Sequence, residues 1–206
     1  MNLQRLKIAE NQFLELYPEG FQDPEMLQIG KKHRVTKMTQ NVHEMFAPEN
    51  FENTKQITID MGKIAARSSV VSVFEKVKFK DFMNTLAEDE HLFVANALKE
   101  LLHGKQENGF NDLVDFLQPI KLAKWTLLTV IPAYYYPNKE VFIKPTTVKN
   151  IIEIFELEGL QYKATPSYDF YKKYKKVLFE MKKQTPKSLR PNNLAFTGFL
   201  MMAIDL

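Results

Sequence analysis

The 206-residue chain contains no cysteine. This excludes a disulfide framework, thiolate metal sites and any cysteine nucleophile, and it fits a reducing compartment. Glycine is scarce, with seven residues scattered singly, so no glycine-rich loop exists to cradle a phosphate. Neither G-x-x-x-x-G-K-[ST] nor the nucleophile elbow G-x-S-x-G occurs. The histidines are His33, His43, His91 and His103. None lies one helical turn from another, the spacing that lets two ring nitrogens reach one ion, so neither a metal nor another cofactor is expected. No uncharged apolar run reaches the roughly 18–20 residues of a membrane span. The longest, 125–136, is interrupted by Pro132. Residues 1–9 carry Arg5 and Lys7 among scattered apolar residues and lack a signal-peptide core. The expected location is the cytoplasm, away from membranes.

What is present reads as globular. Hydrophobic residues make up 45% of the chain and charged residues 26%, enough to bury a sizeable core. No repeat or low-complexity linker interrupts the pattern, so one domain over 1–206 is expected. The net charge of +3 is uneven: residues 1–120 hold 14 basic and 18 acidic residues, and 121–206 hold 14 and 7. The basic excess concentrates between Lys163 and Arg190. It is either a solvated helix face or a surface for an acidic partner.

Apolar spacing predicts a mainly α, compact multi-helix domain. Leu6, Ala9, Phe13 and Tyr17 mark a helix over 3–17, ended by Pro18-Glu19-Gly20. Asp23 as N-cap and Pro24 in the first turn open a short helix. Val35, Met38, Val42 and Met45 mark another over 34–46. Val70, Val71, Val73 and Phe74 favour strand by propensity. Yet Ala66, Val70, Val73, Phe74 and Val77 keep a helical period, so one helix is predicted over 60–86 with that stripe inward. Val94, Leu98, Leu101 and Leu102 mark a helix over 89–103, closed by a left-handed Gly104. A short helix follows over 110–117, while 125–131 fits helix or buried strand. Val141-Phe142-Ile143 precedes Lys144-Pro145, where helix is disfavoured, and reads as a strand that could pair with 160–163. Thr146 or Thr147 caps the next helix, with Val148, Ile151, Ile152 and Phe155 inward. Ser167 caps a long helix to about 184, and 194–204 is the last.

Three constellations could carry function. Lys144, Thr146 and Thr147 stand at a helix N-terminus, where free N–H groups and the positive dipole end favour a phosphate or carboxylate. Arg67 is a further candidate cation, with Glu75 predicted near it along the same helix; simple capping is the structural alternative. The helix over 167–184 places Phe170, Tyr171, Tyr174, Val177, Leu178 and Met181 on one stripe. Lys172, Lys173, Lys175, Lys176, Lys182 and Lys183 then form its outer surface, suited to nucleic acid or an acidic protein. Trp125, Tyr134, Tyr135 and Tyr136 would line a pocket or interface, or else plug the core.

The chain resembles a family of uncharacterised bacterial proteins of similar length. The segments that carry the likeness are Ala65-Ala66-Arg67 through Phe74-Glu75-Lys76, Leu102-His103-Gly104, and Trp125 with Thr129 and Pro132. They continue through Phe142-Ile143-Lys144-Pro145-Thr146 and 168–171. The stretch 192–197 departs from the family's acidic, glutamine-containing pattern. The resemblance implies a single intracellular domain and carries no assigned activity.

The function expected from the residues is non-catalytic binding of an anionic macromolecule, either nucleic acid or an acidic protein face. One alternative is an enzyme on a phosphorylated or nucleotide ligand, using Lys144, Thr146 and Arg67. The other is a homo-oligomeric structural protein with the tyrosine cluster as its interface. The sequence leaves the oligomeric state open.

Overall fold

Side chains start most of the helices in the computed structural model, which describes residues 1–204. The Asn2 side chain accepts the Arg5 N–H at 3.0 Å and opens α1, Leu3–Leu16. Asp23 accepts from Glu25 N and Pro24 holds the first position of α2, Pro24–His33. Arg34, in the left-handed region at φ 53°, turns the chain into α3, Val35–Met45. A 3-10 turn at Pro48–Glu52 leads to α4, Thr54–Arg67, capped by Asn53. Then follow α5, Val73–Asn84, α6, Glu88–His103, and α7, Gln106–Leu117. The chain continues through α8, Trp125–Tyr135, α9, Pro145–Ile154, α10, Tyr168–Lys183, and α11, Asn193–Ile204. The domain is mainly helical and compact.

The central element is α8. Every residue from Trp125 to Tyr135 is buried, and a helix apolar on all sides must be wrapped by others. It packs against α3, α4, α5, α6 and α7. Its two threonines are satisfied locally: Thr129 donates to Trp125 O at 2.7 Å and Thr126 to the Glu75 carboxylate at 2.7 Å. The helix–strand ambiguity over 125–131 thus resolves as helix. Around it, α4 with α5 and α6 with α7 form helical hairpins, α4 lies on α6, and α11 packs on α1 and α9. The buried apolar cluster runs from Leu6 to Ala203. A single cooperative calorimetric transition is therefore expected; two separated transitions would contradict a one-domain chain.

Four sequence expectations are corrected. First, 60–86 is two helices. Ser68 is fully buried, its Oγ shares a hydrogen bond with Tyr134 Oη at 3.2 Å, and its carbonyl accepts from Lys76 Nζ at 3.2 Å. Ser72 caps α5 by accepting the Glu75 N–H. Serine hydroxyls offer the backbone an alternative to the helical ladder. The turn rotates the apolar stripe outward: Val73 is 66% exposed, Phe74 83% and Val77 53%. It also separates Arg67 from Glu75, which accepts from Thr126 instead.

Second, no strand occurs among the described residues. Val141, Phe142 and Ile143 are buried outside any helix, and side chains satisfy two of their N–H groups. Val141 N donates to Tyr171 Oη at 3.3 Å and Ile143 N to Thr129 Oγ1 at 3.0 Å. The segment 160–163 packs as coil, with Lys163 O accepting from Trp125 Nε1 at 2.8 Å. Third, Gly104 is not left-handed but sits at φ −130°, ψ −131°. The Glu100 carboxylate folds over it to accept Lys105 N at 2.7 Å, where a Cβ would meet it at 2.5 Å. Fourth, the N-cap of α9 is Lys144, with Pro145 first in the helix. Thr146 is exposed and Thr147 buried.

Candidate functional site

The aromatic stripe of α10 is core, as its spacing predicts: Phe170, Tyr171, Tyr174, Leu178 and Met181 are buried. Its lysines divide into two groups. Lys175 turns inward, with Nζ 3.0 Å from both carboxylate oxygens of the buried Glu140 and 3.2 Å from Gln106 Oε1. Tyr171 Oη donates to the same carboxylate at 2.7 Å, and Tyr168 Oη donates to Gln106 at 3.1 Å. Lys182 donates to the buried Asn193 side chain at 2.5 Å, and Asn193 donates to Glu140 O at 2.8 Å. Burial, and secondarily the Arg190 charge, lowers the Lys182 pKa. These two lysines bind α10 to the 136–144 segment, to α7 and to α11. They are structural, and the reading of all six as an outer surface is corrected on this point.

Lys172, Lys173, Lys176 and Lys183 are exposed. Lys173 pairs with Asp169 and Lys183 with Glu180, each at 2.8 Å. Lys172 lies over the Tyr168 ring, 5.8 Å from its centroid. Lys172 and Lys176 form no ion pair among the described residues.

Burial raises the pKa of Tyr171 well above the tyrosine range, reinforced by the Glu140 charge. Burial alone raises that of Tyr174, whose hydroxyl has no partner. A group with a raised folded pKa contributes its full stability below the unfolded value near 10, and loses it as pH climbs toward the folded value. Stability should therefore fall above about pH 10, by roughly 1.4 kcal/mol per pH unit for each lagging tyrosine. Absorbance titration should show these phenols ionising together with unfolding. Tyr174→Phe should remove one proton from that step; ionisation of all eight tyrosines as free phenols before unfolding would refute it.

The other sequence candidates do not assemble into one site. Lys144 and Thr146 are exposed at the start of α9, Thr147 faces the interior, and Arg67 is exposed at the end of α4. No hydrogen bond joins Arg67 to the other three, and at 144–147 the helix starts from Lys144 and Pro145 without a side-chain cap hydrogen bond. Trp125 and Tyr134 are core residues, 1% and 2% exposed. Tyr135 packs on His43 and His103, with ring centroids 4.4 and 5.2 Å away. Only Tyr136 is half-exposed, with Lys139 over its ring.

Two adjoining clefts escaped the sequence reading. One, of about 450 Å³, is lined by Glu44, Glu49, Glu52 and Asp60 together with amide side chains. The second, of about 700 Å³, lies between the N-termini of α4 and α6 and shares Glu52 and Asn53 with the first. It adds Lys55, Glu88, Asp89 and His91. The acidic balance of residues 1–120 was the only sequence signal for them. His91 meets Thr58, 33 positions away, and local spacing cannot show such a pair. Among the described residues no helix is long and apolar enough to cross a membrane. Compared with known proteins, the chain matches no family model, no curated protein and no solved structure.

Proposed function

We propose that the protein is a non-catalytic binding protein that meets an anionic macromolecule through the solvent face of α10. The observation that carries this reading is the exposure of Lys172, Lys173, Lys176 and Lys183 along a helix whose other face is locked into the core. Such a helix presents its charges without a backbone ordering cost on binding. With the tyrosines turned inward, no row of rings is free to stack on bases. Binding to nucleic acid is then electrostatic and nearly indifferent to sequence.

The test is salt-dependent binding to single- and double-stranded DNA. With four contacts, log K should fall with log salt at a slope of at most about 3–4. Replacing Lys172, Lys173, Lys176 and Lys183 by Glu should abolish binding and leave helicity unchanged. Lys175 is kept, because its loss would disturb the Glu140 pair. An absence of binding at about 50 mM salt, where non-specific contacts are strong, would sink the nucleic-acid form. The acidic-protein form then stands or falls on whether a partner captured by the parent is lost by the same variant.

A further inference from the structure

The cleft between α4 and α6 holds a histidine nitrogen without a partner. His91 is 3% exposed, yet it lines the cleft. Thr58 Oγ1 has one proton and donates it to Lys55 O at 3.0 Å. The assignment that satisfies both contacts has the hydroxyl oxygen accept from His91 Nδ1 at 2.5 Å, with the ring proton on Nδ1. In that tautomer the lone pair lies on Nε2, which makes no hydrogen bond among the described residues. The only sealed, partnerless polar side-chain atom among those residues is Tyr174 Oη. Nε2 therefore keeps some solvent exposure, on a residue that lines the cleft and is held by Thr58.

The surroundings select the ligand. Glu52, Glu88 and Asp89 outnumber Lys55, the single fixed cation on the lining. An anion would meet three carboxylates, which outweighs the attraction of two helix N-termini. Among the described residues no group of three or more histidines and carboxylates is arranged to hold a metal ion. The cleft volume of about 700 Å³ falls within the range of small-molecule sites. We propose that this cleft binds an organic cation with N–H donors, a primary ammonium or a guanidinium. One N–H is donated to His91 Nε2, and Glu52, Glu88 and Asp89 hold the charge. The neighbouring acidic cleft, which shares Glu52 and Asn53, gives a second charge of an extended polyamine a place to lie. The proposal does not rest on the α10 reading.

The experiment is NMR titration of the full chain, following backbone amides and histidine ring nitrogens, at matched ionic strength. Spermidine is the probe in one arm and N-acetyl-arginine amide in the other. Saturable shifts are expected at 52–55 and 88–92 and at His91 Nε2. Tighter binding of spermidine identifies a free polyamine as the source, and tighter binding of the arginine derivative identifies a protein side chain; either supports the site. Glu52→Gln with Glu88→Gln, both exposed residues, should weaken binding about tenfold, or about 1.4 kcal/mol. His91→Phe should do the same where it folds. Linear, unsaturable shifts spread over other acidic residues would overturn the proposal. So would a Glu52/Glu88 variant that binds as tightly as the parent, or a His91 Nε2 resonance that both probes leave unmoved.

Discussion

Lys175→Met should destabilise the protein by about 3 kcal/mol, measured by urea unfolding at neutral pH. The substitution roughly keeps the apolar stem and removes the ammonium, with its charge and its N–H donors to Glu140 and Gln106. It leaves Glu140, whose side chain is 8% exposed, without its cation. Breaking a buried pair from one side costs about 3–5 kcal/mol, because the remaining charge is uncompensated. The lower end applies here, since the Tyr171 hydroxyl still donates to the carboxylate. Lys175 itself is 17% exposed, so some water reaches the site. The double variant Glu140→Gln/Lys175→Met should recover most of the loss, as apolar or neutral replacement of both partners is often nearly neutral. If Lys175→Met unfolds at the parent's urea midpoint, Glu140 is not held by Lys175. The two lysine groups of α10 would then need redrawing.

Gly109→Ala should cost a similar amount through an unrelated mechanism. A Cβ at Gly109 would lie 2.3 Å from Ala97 O and 2.3 Å from Leu101 N. Both are backbone atoms of α6, so no side chain can rotate away. The α6–α7 pair would have to part, which places the cost near the upper end of overpacking penalties, about 3 kcal/mol. Gly30 is the control. It sits within α2 with nothing within 4 Å of its Cβ position. Gly30→Ala should therefore stabilise by about 1 kcal/mol through helix propensity. Equal effects of the two substitutions would show that α6 and α7 do not approach this closely.

The sequence was sufficient wherever the determinant is local. Ser167 followed by the stripe Phe170, Tyr171, Tyr174, Leu178 and Met181 specifies where α10 starts and which face is buried. Asp23-Pro24 specifies the start of α2, and Val94, Leu98, Leu101 and Leu102 the inner face of α6. Each rests on interactions within a few residues, which period and capping chemistry capture. Only the tertiary structure decided the rest. The helical period through Ala66, Val70, Val73 and Val77 is real, but the chain leaves the helix at Ser68, whose buried hydroxyl meets Tyr134, 66 positions away. The apolar stretch 141–143 finds Tyr171 and Thr129 for its N–H groups and has no partner strand. Lys175 follows the spacing of a surface lysine, yet points inward because Glu140, 35 positions earlier, lies buried beneath α10. Thr58 and His91 belong to separate helices, and only the packing of α4 on α6 joins them. In each case a buried polar group needs a partner, and that partner is distant in sequence, so no local pattern encodes it.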